Sequence, residues 1–93
     1  MNDLKELITI FSEIDDPKMM TKFFEELFTE AERKDFASRW GLMKDLKMGI
    51  SQRKIAKARH ISLCKITRGS KLLKSGNSVS GKMIEKYLKP NTP

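Results

Sequence analysis

Two neighbouring rows of large apolar side chains on one short segment constrain the fold of this sequence most. Both rows follow helical spacing between residues 17 and 28, so a helix on this segment presents an unusually wide apolar face. A chain of 93 residues buries only a little over ~60% of the surface that its unfolded form exposes, which leaves little of the same chain to cover that face. The rows therefore predict a helical protein that pairs with a second copy of itself. Their members are Met19, Phe23 and Leu27 in one row, and Met20, Phe24 and Phe28 in the other.

Helical periodicity continues along the rest of the chain, and no segment alternates with the period of a β-strand. Residues that favour helix ends separate the periodic segments. We therefore predict an all-α fold of six helices. The first helix carries apolar residues from Leu4 to Ile14, and the second begins at Pro17. The third runs from a capping box of Thr29 and Glu32 to about Met48 and ends at Gly49, and the fourth follows Ser51 and runs from Gln52 to about Arg59. The fifth follows Ser62 and is broken by Ser75, and the sixth covers about Ser80 to Leu88.

The length fits a single domain covering residues 1–93. Residues 1–48 are predicted to form the dimerisation core, residues 51–74 a pair of short helices, and residues 79–89 a C-terminal helix. The last four residues, Pro90-Asn91-Thr92-Pro93, are expected to fray.

Charge is distributed unevenly along the chain, which carries +7 overall. Residues 1–35 contain ten acidic and five basic residues, whereas residues 36–93 contain fourteen basic and two acidic residues. The stretch from Ser51 to Lys74 has eight basic residues and no acidic one. A merely solvated helical face would normally mix the two signs, so this stretch predicts a surface for nucleic acid.

The basic stretch also has the layout of a helix-turn-helix. Two short helices flank the three residues His60-Ile61-Ser62, and Ile55, Ile61 and Ile66 are spaced to pack between them, with Ala56 where the helices must approach closely. Two positions depart from the usual pattern. His60 stands where glycine is common, although histidine tolerates positive φ better than bulkier residues, and Arg59 stands where an apolar residue usually packs.

Other classes of function have weaker support in the sequence. A non-specific nucleic-acid or RNA-binding protein would interleave aromatic residues with the bases, and residues 51–74 contain none. The basic half has neither the paired carboxylates nor the Ser/His/Asp set that would indicate an enzyme. It also has too few bulky apolar residues for a helix that lies on a membrane surface. His60 and Cys64 are four residues apart, but a zinc site needs three or four ligands, and we predict no metal.

One cysteine cannot form an internal disulfide, and the first sixteen residues carry charges where a secretory signal needs an apolar run. No apolar run approaches the ~18 residues of a membrane span. We therefore expect a cytoplasmic protein.

Three blocks of the sequence resemble the bacterial tryptophan repressor family, in the same order and at near-identical spacing. The blocks are Glu32-Arg33-Lys34-Asp35-Phe36-Ala37-Ser38-Arg39, then Ser51-Gln52-Arg53, then Ile66-Thr67-Arg68-Gly69-Ser70 with Leu73-Lys74. The resemblance covers about Phe28 to Lys74. It implies an intertwined homodimer of six-helix chains that binds L-tryptophan as corepressor and represses genes of tryptophan biosynthesis or transport.

The resemblance also implies a ligand site. The two arginines that sandwich the indole ring in the family correspond to Arg39 and Arg68 in this sequence. A planar guanidinium is suited to stacking on an aromatic face. The pocket wall falls on Met43 and Gly69, and backbone carbonyls from the partner's Glu26 and Phe28 region would take up the ligand ammonium. The sequence departs from the family at two positions, where Leu72 replaces a hydroxyl residue and Lys65 a threonine. The link near Gly49-Ile50 is also one residue short.

On the DNA side, the start of the fourth helix and the start of the fifth are expected to face a major groove. We expect Arg53 to contact a guanine, because its forked donors match O6 and N7, and Lys74 and Arg68 to contact phosphates. A regulator of the same fold that binds DNA constitutively, or that responds to another ligand, is the alternative. The predicted DNA-binding residues are Gln52, Arg53, Leu63, Cys64, Lys65, Thr67, Arg68 and Lys74.

Overall fold

A computed structural model describes residues 2–88, which form six α-helices and contain no β-strand. The prediction of an all-α chain with six helices is therefore confirmed. Lys89 and the predicted frayed end, Pro90-Asn91-Thr92-Pro93, lie outside the described residues. The helices are α1 (Asp3–Glu13), α2 (Pro17–Leu27), α3 (Glu30–Lys47), α4 (Gln52–Arg59), α5 (Leu63–Lys74) and α6 (Val79–Leu88).

Polar side chains fix the helix starts at the positions expected from the sequence. The capping box at the start of α3 is confirmed, since the Glu32 backbone N–H donates to Thr29 Oγ1 over 3.1 Å and the Thr29 N–H donates to Glu32 Oε1 over 2.9 Å. The hydroxyls of Ser51 and Ser62 each accept from the N–H three residues later, at the starts of α4 and α5. Gly49 ends α3 with a φ of 84°, as predicted.

The contacts group the chain into two units, one up to Asp35 and the other from Phe36 onward, so the boundary falls within α3. In the first unit, Phe11 lies between the rings of α2, with its centroid 5.3 Å from that of Phe23 and 5.4 Å from that of Phe24. Neither α1 nor α2 has a buried residue. Leu4 and Met19 are 65% and 57% exposed, so the aromatic cluster leaves much apolar surface in contact with solvent.

The second unit has a small apolar core that fixes α4 and α5 on α3. Leu42 of α3, Ile55 of α4 and Ile66 of α5 are buried together, and Ala56 and Ile61 pack against them. The predicted packing of the helix pair through its isoleucines is confirmed. Helix α5 also packs against α6.

The turn between α4 and α5 depends on a backbone conformation that few side chains adopt. His60 has φ 55° and ψ 47°, in the left-handed region. This is the only positive φ of a non-glycine residue among the described residues. The Ile61 N–H donates to the Ala56 carbonyl, which closes the end of α4. Histidine therefore does fill the position where glycine is usual, as the sequence predicts.

Candidate ligand cavity and nucleic-acid interface

Helices α3 and α5 line an open cavity of about 260 Å³. This volume lies just below the range of roughly 300–1,000 Å³ that is typical of small-molecule pockets. The cavity therefore suits a small ligand, such as a single flat ring system with a short side chain. Its lining residues are Arg39, Leu42, Met43, Lys65, Arg68, Gly69 and Leu72.

The close approach of α5 to α3 at the cavity depends on the absence of a side chain at Gly69. Gly69 is buried, and a Cβ there would stand 2.6 Å from Leu42 Cδ1. Such a contact would force Leu42, which belongs to the core, to move. The resemblance implied that Gly69 forms the pocket wall, and the geometry gives a physical reason for a glycine at that position.

Three of the seven lining residues are cationic and none is acidic. Arg39 lies on α3, whereas Lys65 and Arg68 lie on α5, and all three are exposed. Leu42, Met43 and Leu72 supply the apolar part of the lining. A cavity of this composition favours a ligand with an apolar body and an anionic group, and guanidinium planes are well suited to stack on an aromatic ring.

Five of the seven residues predicted to bind ligand line this cavity: Arg39, Met43, Arg68, Gly69 and Leu72. Lys65, which the resemblance put in place of a pocket-side threonine, lines it as well. Leu42 was not predicted, although it follows Arg39 by three residues on α3 and so lies on the same side of that helix.

The other two residues predicted to bind ligand, Glu26 and Phe28, lie in the first unit, and their contribution from a partner chain stays a prediction. The Phe28 carbonyl already accepts a hydrogen bond from Arg33 Nη1, which also donates to the Glu25 carbonyl over 3.1 Å. Arg33 therefore already uses one hydrogen-bonding position on the carbonyl oxygens of Glu25 and Phe28, at the end of α2. A carbonyl oxygen has two lone pairs, so a second donor could still bind.

Seven of the eight residues predicted to contact DNA are exposed, and Gln52 is half-buried. Thr67 of α5 donates through its hydroxyl to Gln52 Oε1 over 3.3 Å, which joins the two helices on this side. Leu63 is 50% exposed at the start of α5, where an apolar side chain is available to a partner. Cys64, the second residue of α5, is exposed as well.

Arg59, the last residue of α4, is paired with an acidic residue of α3. Its Nε and Nη2 donate to the carboxylate of Asp45 over 2.6 and 3.3 Å. Hydrogen bonding to Asp45 raises the pKa of Arg59 above its ordinary value, against the opposing effect of burial. Asp45 therefore neutralises part of the charge that Arg59 brings to the basic stretch, and the role of the stretch as a nucleic-acid surface stays a prediction.

Within residues 2–88 no group of three or more His, Cys, Asp or Glu side chains is placed to hold a metal ion. None of the six helices described combines the length and the hydrophobicity of a membrane span.

Comparisons with known proteins agree with the resemblance seen in the sequence. The family model described as Trp repressor protein matches residues 2–88. A Trp operon repressor homolog of Chlamydia trachomatis serovar L2 is 32% identical over 82 residues, which cover 87% of each chain. A protein of the same name from serovar D is 37% identical over 68 residues, which cover 72% of each chain. No solved structure matches this chain significantly. The chain belongs to the Trp repressor family.

Proposed function

We propose that this protein is a dimeric, DNA-binding transcriptional repressor with L-tryptophan as its corepressor, and that it controls genes of tryptophan biosynthesis or transport. The observation that carries the proposal is the cavity between α3 and α5, which has an arginine from each helix in its lining. The family membership and the names of the relatives support the repressor class. The acid-free basic stretch supports nucleic acid as the partner.

The exposed apolar surface of the first unit supports the dimer. Leu4 is 65% exposed, and Ile8, Met19 and Leu27 are also exposed although all are large and apolar. Exposed apolar patches of this kind mark interfaces in soluble proteins. Helices α1 and α2 contain no buried residue, so a second copy would supply the burial that these helices need to stay folded.

If folding and dimerisation are coupled in this way, the temperature midpoint of unfolding should rise with protein concentration. The measurement is circular dichroism melting over a hundredfold range of concentration, with sedimentation to give the mass. A stable monomer at micromolar concentration, with a midpoint that does not depend on concentration, would contradict the dimer.

A ligand in the cavity would join α3 to α5, the helix that is proposed to face DNA. Arg39 lies on α3 and Arg68 on α5, so an indole ring between the two guanidinium planes would bridge these helices. A ligand shifts an equilibrium only by its differential affinity for the two arrangements. Tryptophan would therefore favour the arrangement of α5 that closes on the ring, and we propose that this arrangement binds the operator.

We expect saturating L-tryptophan to tighten operator binding at fixed salt, by a factor in the range of about 5–150 that is typical of coupled sites. Substituting Arg68→Ala should abolish this tightening. The matched control is Lys71→Ala, which removes a cation from the next turn of α5 at a position outside the cavity lining. The measurement is fluorescence anisotropy with a labelled duplex. No response to tryptophan in the unsubstituted protein would favour the constitutive or other-ligand alternative.

The second candidate, a regulator of the same fold with another ligand, is favoured by two lining residues. Leu72 offers no hydroxyl to an amino group, and Lys65 adds a third cation to the cavity. Both features favour an aromatic acid over an amino acid, since the amino group would depend on carbonyls of the partner chain.

We therefore predict weaker discrimination between L-tryptophan and indole-3-propionate, which lacks the amine, than in a Leu72→Ser variant. A serine hydroxyl would accept from the ammonium and raise the affinity for tryptophan alone, by roughly 0.5–1.5 kcal/mol for one added hydrogen bond. Calorimetry with both ligands on both proteins measures the two ratios. Equal ratios would show that position 72 does not contact the amino group.

Arg53 at the start of α4 is the residue that we propose reads a base. Its side chain is exposed, and guanidinium donors match the two acceptors that guanine presents in the major groove. Lys74 at the end of α5 has a single charged group and is proposed to contact phosphate. In a symmetric dimer, these residues would read a palindrome with half-sites roughly 34 Å apart.

Substituting Arg53→Ala should cost about 1–3 kcal/mol on the preferred duplex and relax the preference at one base pair. Substituting Lys74→Ala should weaken all sequences alike and lower the salt dependence by about one unit. Selection from a randomised duplex pool, followed by binding titrations over a range of salt, measures both effects. If Arg53→Ala weakened random and selected duplexes equally, Arg53 would be a phosphate contact.

A further inference from the structure

The ion pair between Arg59 and Asp45 lies at the point where the chain leaves α4 and turns toward α5. Arg59 is the last residue of α4, and His60 follows it in the left-handed conformation. The guanidinium donates two hydrogen bonds to the carboxylate, and the side chains of Arg59 and Asp45 are only 34% and 18% exposed. A pair joined by two hydrogen bonds fixes orientation as well as distance.

Gly41 provides the space for this pair. It is a buried residue in the middle of α3, one helical turn before Asp45, and a Cβ at Gly41 would overlap the Arg59 guanidinium. Glycine is less favourable than alanine inside a helix. Glycine often ends a helix, but Gly41 lies in the middle of α3, so that role does not explain it. The space left by the missing side chain is filled by Arg59, which lies directly on the backbone of α3.

We propose that Gly41, Asp45 and Arg59 form a positioning clamp that holds α4, and through the His60 turn α5, in the arrangement that binds the operator. This inference rests on the proposed function. Gly41 and Asp45 lie on the same helix as Arg39, and α5 carries Arg68, so the clamp and a ligand in the cavity stabilise the same arrangement of these helices. Arg59 acts through α4 and α5 and is not itself a contact to DNA.

The decisive substitution is Gly41→Ala, because it displaces the guanidinium without removing a charge. The probe is a palindromic duplex selected from a random pool by the unsubstituted protein in saturating L-tryptophan, and its affinity for each variant is then measured without the amino acid. If the clamped arrangement falls from most of the population to about a tenth, operator affinity should fall about tenfold. The salt dependence should stay unchanged, since no phosphate contact is lost.

Two further variants separate the clamp from a simple loss of charge. Arg59→Ala should weaken binding as Gly41→Ala does, and the double variant should be no weaker than Arg59→Ala, because an alanine at position 59 leaves room for a Cβ at position 41. The matched control is Lys57→Ala, which removes one exposed cation from the same helix. Gly41→Ala should weaken binding by the same factor with or without the Lys57→Ala substitution.

Amide hydrogen exchange without DNA gives an independent measurement of the clamp. In the Gly41→Ala variant, the amides of Ile55 and Ile66 should exchange faster through local opening of α4 and α5. Unchanged exchange would overturn the clamp, and so would faster exchange with unchanged operator affinity. If the unsubstituted protein enriched no duplex from the pool, the proposed function would fail, while faster exchange would still support the clamp as a constraint on α4 and α5.

Discussion

The burial of Leu42, Ile55 and Ile66 against one another is the interaction on which the second unit depends. Each side chain comes from a different helix, and together they attach α4 and α5 to α3. Full burial of an aliphatic side chain contributes about 1.5–3 kcal/mol, so a core of this size gives limited stability. The cavity requires α3 and α5 to stay in contact, and the Arg59–Asp45 pair requires the same of α3 and α4.

Around this core, two glycines of α3 and α5 allow the helices to approach closely on different sides. Gly69 brings α5 onto Leu42 beside the cavity, and Gly41 admits the Arg59 guanidinium onto α3. The two sites share one stretch of α3, because Arg39, Leu42 and Met43 line the cavity while Gly41 and Asp45 contact Arg59. One helix thus contributes residues both to the cavity and to the ion pair with α4.

The helices and their boundaries could be predicted because local chemistry determines them. The Thr29 and Glu32 capping box, the serine caps and the left-handed His60 each depend on residues within a few positions of one another. The cavity was anticipated through the family resemblance, which placed Arg39 and Arg68 together. Periodicity alone gives no reason to pair two arginines that are 29 positions apart.

The pairing of Arg59 with Asp45 could not be predicted in the same way. These residues are 14 positions apart on different helices, and their contact depends on the missing side chain at Gly41. The sequence shows Arg59 only as a charge where an apolar residue usually packs, in a stretch without an acidic residue. The compensating acid lies outside that stretch, so the pair becomes visible only when α3 and α4 are placed together.

The central claim is that one arrangement of α3 and α5 binds both the effector and the operator. Reciprocity requires that whatever factor tryptophan adds to operator affinity, the operator adds to tryptophan affinity. The direct measurement is calorimetry of L-tryptophan with the free protein and with the protein saturated by its selected duplex, at the same salt concentration. The account predicts tighter binding of tryptophan to the DNA complex, by the factor that tryptophan gives to DNA binding. Equal affinity for the free protein and the complex would contradict it.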